Sequence, residues 1–351
     1  MLLLFFVTIL TLQACSKDTD TGKAASKQGN TKNISLVTDY VGLNDKSIND
    51  QCKLALEEVV AQTGVKNSIV ESESEEKYKA SLEKTAKGGA TLIFANGYAM
   101  KDPIYATYKD YKGTTFVNID NIYDDKNMPK NIAATQFRME DASYLAGYLA
   151  GSYSSSNKVA YIGGAKGAMQ DSYEYGFIAG VKDAAREKGT DIVTEVRYAD
   201  TFSDDGKGYI IAKNLYEGGC DVIYEGAGYT GIGAIKAAKE ANKYIIAEEV
   251  AQIDIAPENV LTAVEKKYDV IVKDLALRHI AGDSIGGKNY EYGVKEGALG
   301  IYYRKDDLDI VGPDLYSKIG FKQKEIEKER IIPPYSKDVN EDKIEEKMEE
   351  K

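Results

Sequence analysis

A glycine-rich stretch in the second half of the chain is the clearest chemical pattern in the sequence. Gly226-Ala227-Gly228-Tyr229-Thr230-Gly231 has the spacing G-x-G-x-x-G, follows an apolar run that predicts a strand, and precedes a helical pattern. Glycines at such a turn let the backbone approach a ligand, and the N–H groups that begin the helix can bind an anion. Glu248 and Glu249 lie about 20 residues further on, where a dinucleotide-binding fold places the acid that binds ribose. The stretch therefore predicts either a dinucleotide-dependent enzyme or a loop that binds another polar ligand.

The N-terminus predicts export and a lipid anchor. Residues 2–12 form a nearly unbroken apolar run, which has the length of a signal-peptide core but is too short for the roughly 20 residues that cross a bilayer. Leu12-Gln13-Ala14-Cys15 has the pattern of a bacterial lipobox. We therefore predict a lipoprotein signal peptide over residues 1–15, acyl chains such as palmitate on Cys15, and a location on the outward face of the cell membrane. Residues 16–32 have almost nothing to bury, which predicts a flexible linker.

Composition and charge exclude several classes of function. The 351 residues carry 45 Lys and Arg against 56 Asp and Glu, so no basic surplus exists to neutralise the phosphates of nucleic acid. The cysteines and the single histidine have no metal-ligand or redox spacing; they are Cys15, Cys52, Cys220 and His279. We expect no metal, no cofactor and no enzymatic activity. Cys52 and Cys220 fall at predicted core positions, and His279 lies in a helical pattern with a surface or packing role.

Short apolar runs alternate with helical patterns from residue 33 onward. The predicted strands are 34–38, 91–95, 115–119, 159–163, 192–198, 221–224 and 244–247, and the predicted helices include 48–63, 142–151 and 208–217. Repeated β-α units imply parallel sheets covered by helices, and the pattern restarts near Glu140. The predicted fold class is therefore α/β, with two doubly wound parallel-sheet lobes.

Many segments of this body, taken in order, resemble one known family. They include Leu43-Asn44-Asp45-Lys46-Ser47-Ile48-Asn49, Phe137-Arg138-Met139-Glu140, Tyr144-Leu145-Ala146-Gly147-Tyr148-Leu149-Ala150, Tyr175-Gly176-Phe177-Ile178-Ala179-Gly180, Phe202-Ser203-Asp204 and Leu261-Thr262-Ala263-Val264-Glu265-Lys266. The chain resembles the basic membrane protein family of lipoproteins, which are purine-nucleoside receptors of bacterial ABC importers. The resemblance extends along nearly the whole body of the chain.

The resemblance implies a type I periplasmic-binding-protein fold, in which two lobes close on a ligand about a hinge. The predicted domains are one lobe of residues 33–137 plus about 262–292, a second lobe of 138–261 plus about 293–325, and a charged tail over 326–351. The implied partners are a small nucleoside-like ligand and the permease subunits of an ABC importer in the membrane. The implied function is ligand capture and delivery.

The resemblance also assigns residues that would bind the base of a nucleoside. Phe202 would supply an aromatic face, because a purine is flat. Asp39 and Asn44 would hydrogen-bond the edge of the base, and Tyr98 and Gly228 would line the cleft. Asp39 and Asn44 also flank a strand–helix turn, where they could cap the helix instead.

The sugar positions carry this sequence's departures from the family. Asp120 would bind the sugar together with Glu249 and Lys266. Glu249 stands where the family has aspartate, and Glu248 replaces a typically apolar residue. Ile48 stands where a second stacking phenylalanine is usual, so it would cover the base without π-stacking. The pocket could then accept another nucleoside, a modified one or a different polar ligand.

We predict a nucleoside-binding lipoprotein of an ABC importer, and three alternatives remain open. The first is a type I receptor for a sugar or another signal. The second is an enzyme, either dinucleotide-dependent or a carboxylate-based nucleoside hydrolase. The third is a surface adhesin or antigen that has lost transport. Phe202 and Tyr98 favour a flat ligand over a sugar.

Overall fold

In the computed structural model, the described residues are 32–305 and 309–337. Cys15, the rest of the predicted signal peptide, the predicted linker up to residue 31, and residues 338–351 of the predicted tail lie outside them. The strands are β1 (Asn33–Val37), β2 (Lys66–Val70), β3 (Leu92–Asn96), β4 (Thr115–Ile119), β5 (Ile132–Phe137), β6 (Lys158–Gly163), β7 (Val193–Tyr198), β8 (Val222–Gly226), β9 (Tyr244–Ala247), β10 (Val260–Lys266), β11 (Lys288–Tyr292) and β12 (Leu299–Ile301). The helices are α1 (Ile48–Thr63), α2 (Tyr78–Lys87), α3 (Lys101–Tyr105), α4 (Met139–Tyr153), α5 (Ala168–Lys188), α6 (Asp205–Glu217), α7 (Tyr229–Ala241), α8 (Tyr268–Ala281) and α9 (Pro313–Glu327).

The first sheet has the strand order β2-β1-β3-β4-β5-β11, with all neighbours parallel. Its central strands are buried on both faces, because helices cover the sheet on each side. Apolar side chains therefore run continuously from Leu92 to Ala95 in β3 (Leu-Ile-Phe-Ala) instead of alternating with polar ones. This continuity is the pattern that predicted the strand.

The second sheet repeats the plan with the order β7-β6-β8-β9-β10-β12. Neighbours from β7 to β10 are parallel, whereas β12 pairs antiparallel with β10. Buried tyrosines and Phe177 pack between this sheet and helix α5; Tyr161, Tyr173 and Tyr224 lie within 6.5 Å of one another, centroid to centroid. The predicted α/β class with two parallel-sheet lobes is confirmed.

The described chain passes between the two sheets at Arg138, at Lys267 and after Tyr292. These passages lie side by side, since the Arg138 N–H donates to the Tyr292 carbonyl at 2.9 Å and the Lys267 N–H to the Ala298 carbonyl at 2.8 Å. The return near Lys267 differs from the predicted boundary near residue 262. Strand β10 pairs with β9 as far as Ala263 and with β12 from Val264 to Lys266, so the second lobe continues to that residue.

The charge run at the end of α9 belongs to the folded lobe, which corrects the predicted start of the tail at residue 326. The Ile326 side chain is only 4% exposed, and Ile331 packs against the same core. Ile326 faces inward while charged neighbours on α9 project outward, because a helix presents every third or fourth residue to its support, and Ile331 follows in the turn after the helix. Charge density alone therefore hid an amphipathic segment.

The sequence did not predict the edge strand β2, because its pattern is weak. Strand β2 reads Lys-Asn-Ser-Ile-Val and is largely exposed at a sheet edge, so it lacks the apolar run of a buried strand.

Cys52 and Cys220 are buried. His279 is buried on α8 with Nε2 3.0 Å from the Thr91 hydroxyl, and burial lowers its pKa to about 4. His279 is therefore a neutral packing residue.

Candidate functional site

The predicted ligand-binding residues lie at the carboxyl ends of strands in both sheets, except for two at the start of α1. In doubly wound folds this edge is where ligands bind, because helix N-termini and variable loops meet there. The residues that follow strands are Asp39 after β1, Tyr98 after β3, Asp120 after β4, Phe202 after β7, Gly228 after β8 and Glu249 after β9, and Lys266 ends β10. Asn44 and Ile48 lie in the turn before α1 and at its first residue.

Asp39 is held by its own turn. Its Oδ1 atom accepts a hydrogen bond from the Asn49 side-chain amide at 2.7 Å and another from the Val41 N–H at 3.0 Å. Asn49 is fully buried and also accepts a hydrogen bond from the Asn96 amide at 3.1 Å. The Asp39 carboxylate therefore has a fixed orientation, with Oδ2 left to interact at the edge of the sheet.

The turn before α1 is capped by Asp45, which sequence reasoning missed. Asp45 accepts from the N–H groups of Ser47, Asn49 and Asp50 at 2.8–3.1 Å. The alternative in which Asp39 and Asn44 cap this helix is thus wrong. Asn44 has a φ of +72°, a left-handed conformation that asparagine tolerates, and its exposed side chain stays available for a ligand.

Two first-lobe residues differ sharply in exposure. The Tyr98 side chain is 78% exposed, so little of it packs against the protein. Asp120 is mostly buried and accepts a hydrogen bond from the Tyr268 hydroxyl at 2.6 Å. Burial raises the pKa of Asp120, while Lys266 and Tyr268 oppose that rise. Asp120 is therefore electrostatically coupled to a residue of the opposite lobe.

A direct hydrogen bond joins the two lobes at this point. The Ser47 hydroxyl, beside α1, donates to Glu249 Oε2 at 3.0 Å. Within the first lobe, the Tyr268 N–H at the start of α8 donates to the Gln51 side-chain oxygen at 3.1 Å and ties α8 to α1. A cavity of about 30 Å³ remains between Ser47 and Gln51 on one side and Glu249 and Lys266 on the other. The structure thus brings Glu249 and Lys266 together at this cavity, and it places Asp120 next to Tyr268, which lines the same cavity.

A mostly buried ion pair lies behind this cavity. Lys266 Nζ is 2.9 Å from Glu248 Oε1 and 3.8 Å from Glu249 Oε1, and the side chains of Lys266 and Glu248 are 12% and 13% exposed. The Tyr173 hydroxyl also donates to Glu248 Oε1 at 2.8 Å, and the Gly228 N–H donates to Oε2 at 2.9 Å. Burial alone would raise the pKa of Glu248, but Lys266 and these donors hold it below its ordinary value.

Glu225, at the end of β8, is a fully buried carboxyl beside this pair. Its two oxygens accept from the Glu248 N–H at 2.9 Å and the Ala227 N–H at 3.2 Å. Burial, followed by the charge of Glu248, raises the pKa of Glu225 to about 8. Glu225 is therefore largely protonated at neutral pH while Glu248 is ionised.

The raised pKa of Glu225 predicts a pH dependence of stability. In the unfolded chain this carboxyl ionises near its ordinary value, whereas in the folded chain it stays protonated up to about pH 8. The folded state then binds more protons, so stability is lost as the pH rises through this window, by up to about 1.4 kcal/mol per pH unit. Glu225→Gln should reduce the loss between pH 5.5 and 7.5 by about 1–3 kcal/mol in urea unfolding.

The exposed acid Glu258 provides the matched control for that experiment. Glu258→Gln should leave the pH slope of the free energy of unfolding as in the parent protein. Equal slopes for the parent and Glu225→Gln would contradict a protonated Glu225.

Phe202 is placed by glycines rather than by a hydrophobic pocket. Its side chain is 40% exposed and lies on the backbone of Gly164, where an added Cβ would come within 2.2 Å of the ring. The Phe202 carbonyl accepts from the Thr230 N–H at 3.3 Å, which ties its loop to the start of α7. The ring is thus fixed yet accessible, as a stacking surface must be. The role of Gly164 was not visible in the sequence.

The glycines of the G-x-G-x-x-G stretch allow close packing within the second lobe, which differs from their role in a dinucleotide-binding loop. A Cβ on Gly231 would overlap Glu225 Oε2 at 1.8 Å, and one on Gly226 would meet the Tyr173 ring at 2.7 Å. Gly228 has a φ of +59°, and its N–H is already bonded to Glu248. In a dinucleotide fold, Glu248 would bind ribose and the Gly228 N–H would bind pyrophosphate. Here the Gly228 N–H donates its hydrogen bond to Glu248 instead.

The described residues contain no helix long and apolar enough to cross a membrane. Across 32–305 and 309–337, no three His, Cys, Asp or Glu side chains are grouped as ligands for a metal ion. The residues that sequence reasoning missed at the site are Asp45, Ser47, Tyr173, Glu225 and Tyr268. Of these, only Tyr268 could have been found from the sequence, because it lies two positions after the predicted site residue Lys266.

Two parallel-sheet lobes with polar side chains converging between their strand ends define a two-lobed solute-binding protein. Solved structures share this fold: a solute-binding protein of an ABC transporter system from Conexibacter woesei has a TM-score of 0.70, covering 87% of this chain and 99% of that one at 18% identity. One from Aeropyrum pernix has a TM-score of 0.67, covering 91% and 97% at 20% identity.

The sequence comparisons identify the family. The profile of the Bmp family, described as ABC transporter substrate-binding protein PnrA-like, matches residues 32–337. Basic membrane protein D of Borreliella burgdorferi is 31% identical, over 90% of this chain and 89% of that protein. The CD4+ T-cell-stimulating antigen of Listeria monocytogenes is 32% identical, over 92% of this chain and 94% of that protein. The chain belongs to the Bmp family of ABC transporter substrate-binding proteins.

Proposed function

We propose that this substrate-binding protein captures a nucleoside between its two lobes and delivers it to an ABC permease.

 The ligand would contact both lobes, with the base against Phe202 and the sugar between Asp120, Glu249 and Lys266. The observation that carries the proposal is that Glu249 and Lys266 line one cavity between the lobes, with Asp120 hydrogen-bonded to the Tyr268 that also lines it. The exposed ring of Phe202, fixed on Gly164 in the second lobe, supplies an aromatic face.

The chemistry of the cavity suits a neutral ligand that is rich in hydroxyl groups. Ribose hydroxyls donate to carboxylates; Glu249 lines the cavity, and Asp120 accepts a hydrogen bond from Tyr268, which also lines it. The Asp39 carboxylate and the exposed Asn44 amide offer acceptors and donors for the edge of a base. Ile48 and Gly228 would complete the walls, and Tyr98 would cover the rim.

Ligand capture would proceed by movement of the lobes about the three chain passages. The Ser47–Glu249 hydrogen bond joins the lobes directly, so a ligand that contacts both sides stabilises the same arrangement. Glu249 therefore serves closure as well as sugar binding. We further propose that acylated Cys15 anchors the protein to the outward face of the cell membrane, where the permease subunits receive the ligand.

Thermal unfolding of the purified full-length protein tests the proposal. The panel contains purine nucleosides, pyrimidine nucleosides, ribose and NAD. A ligand at about 100 times its Kd should stabilise the folded state by about 2.7 kcal/mol, which raises the Tm by several degrees. We expect the largest rise with nucleosides. A rise with ribose or NAD alone would contradict the proposal, as would no rise with any member of the panel.

Removal of the stacking ring should weaken nucleoside binding selectively. Base–aromatic stacking contributes about 1–3 kcal/mol, so Phe202→Ala should raise the Kd for a nucleoside by about 10- to 100-fold in calorimetric titration. Phe321 on α9 is also exposed, at 60%, and lies on a different element, so Phe321→Ala is the matched control and should leave the Kd unchanged. Equal effects of the two substitutions would argue against stacking on Phe202.

A further inference from the structure

Three hydrogen-bond donors converge on the Glu248 carboxylate from separate elements. They are the Lys266 ammonium at the end of β10, the Tyr173 hydroxyl on α5 and the Gly228 N–H just before α7. The distances are 2.8–2.9 Å, and the Tyr173 side chain is only 3% exposed. An ammonium, a hydroxyl and an amide at a helix N-terminus are together the groups that proteins use to bind an anion.

We infer that Glu248 is a built-in anion that excludes negatively charged ligands from the cleft and so determines its specificity. This inference rests on the proposed function for the identity of the ligand, but not for the position of the carboxylate. Glu248 satisfies the donors that a phosphate or carboxylate of a ligand would need. A nucleoside would be accepted, whereas its 5′-monophosphate would be rejected.

The charges around the cavity support the same conclusion. Glu249 and Asp120 add acidic groups next to Lys266, whose ammonium is already paired with Glu248. Lys46 lines the same cavity but is exposed to solvent, where its charge is screened. The pKa of Glu225 is raised partly by Glu248, which is consistent with an ionised Glu248.

Chemical rescue with acetate tests the position of the carboxylate without any nucleoside. Glu248→Ala removes the atoms of one acetate ion and leaves the three donors in place. We expect this variant to be less stable than the parent, and acetate to raise its Tm saturably by about 3 °C, whereas chloride at equal ionic strength does not. The parent protein and Glu258→Ala, which loses an exposed acid, should show no such rise. Equal effects of acetate and chloride on Glu248→Ala would overturn the inference.

A second variant tests selectivity and covers the case in which Glu248→Ala does not fold. Glu248→Gln keeps the volume and removes the charge. Titrations with a nucleoside and its 5′-monophosphate should give a Kd at least about 100 times higher for the monophosphate in the parent, and Glu248→Gln should reduce that ratio at least about tenfold. An unchanged ratio would overturn the inference. Failure of the parent to bind any nucleoside would instead refute the proposed function, and the acetate result would still decide the role of Glu248.

Discussion

Replacement of Lys266 by methionine is expected to lower the free energy of unfolding by about 3–5 kcal/mol, because it leaves the buried Glu248 carboxylate without its ammonium. Methionine fills a similar volume, so the loss reports the charge and not a cavity. The hydrogen bonds from Tyr173 and Gly228 would remain, yet neither carries a full positive charge. Urea unfolding measures the change, and nucleoside binding should be lost in the same variant.

The loss in Lys266→Met should depend on pH in a defined direction. In the parent, the folded-state pKa of Glu248 lies below its ordinary value, so its stabilising contribution is present above that value and is lost as the pH falls through the folded-state pKa. Without Lys266, burial raises the pKa of Glu248, and the carboxylate becomes costly once it ionises. The deficit should therefore be larger at pH 8 than at pH 5.

The neighbouring lysine is the matched control. Lys267 pairs with Glu265 at 3.1 Å, but both side chains are more than 30% exposed, so the pair contributes at most about 1 kcal/mol. Lys267→Met should change stability by less than that amount and show no such pH dependence. A loss below about 1 kcal/mol in Lys266→Met would refute the buried pair as described.

Replacement of Gly233 by alanine should destabilise the protein by about 3 kcal/mol, the upper part of the range for overpacking. Gly233 lies within α7, where α6 crosses it closely, and an added Cβ would overlap the Asp205 carbonyl oxygen at 1.7 Å. That atom belongs to the backbone, so α6 would have to move away from α7. In an unconstrained helix the same change would stabilise by about 0.5–1 kcal/mol, so the sign itself is the test.

The substitution should also weaken ligand binding. Helix α6 follows the loop of Phe202, and α7 follows Gly228, so a shift between the helices displaces both sides of that part of the cleft. Gly206→Ala, in the first turn of α6, is the control, because its Cβ would meet only the Asp204 side chain at 3.3 Å. Urea unfolding and calorimetric titration measure the two effects. A stabilised Gly233→Ala variant would contradict the close approach of α6 and α7.

The sequence alone determined the architecture to a large extent. Strands β4 and β9 and helix α1 have the predicted bounds, because buried parallel strands read as apolar runs and an amphipathic helix reads as a 3.6-residue period. The exposed edge strand β2 and the amphipathic end of α9 were missed, because their residues are polar apart from the few that face the core. The order of strand, turn and glycine also located the candidate site at the carboxyl ends of the strands.

What only the tertiary structure decided is how the charges of that site are shared. In the sequence, Glu225, Glu248 and Glu249 are three similar acids, and Lys266 resembles the lysine that follows it. In the folded protein, Glu248 pairs with Lys266, Glu225 keeps its proton, and Glu249 contacts Ser47 of the other lobe. Protonation and pairing depend on burial and on distances between residues far apart in the chain, and no local pattern encodes these quantities.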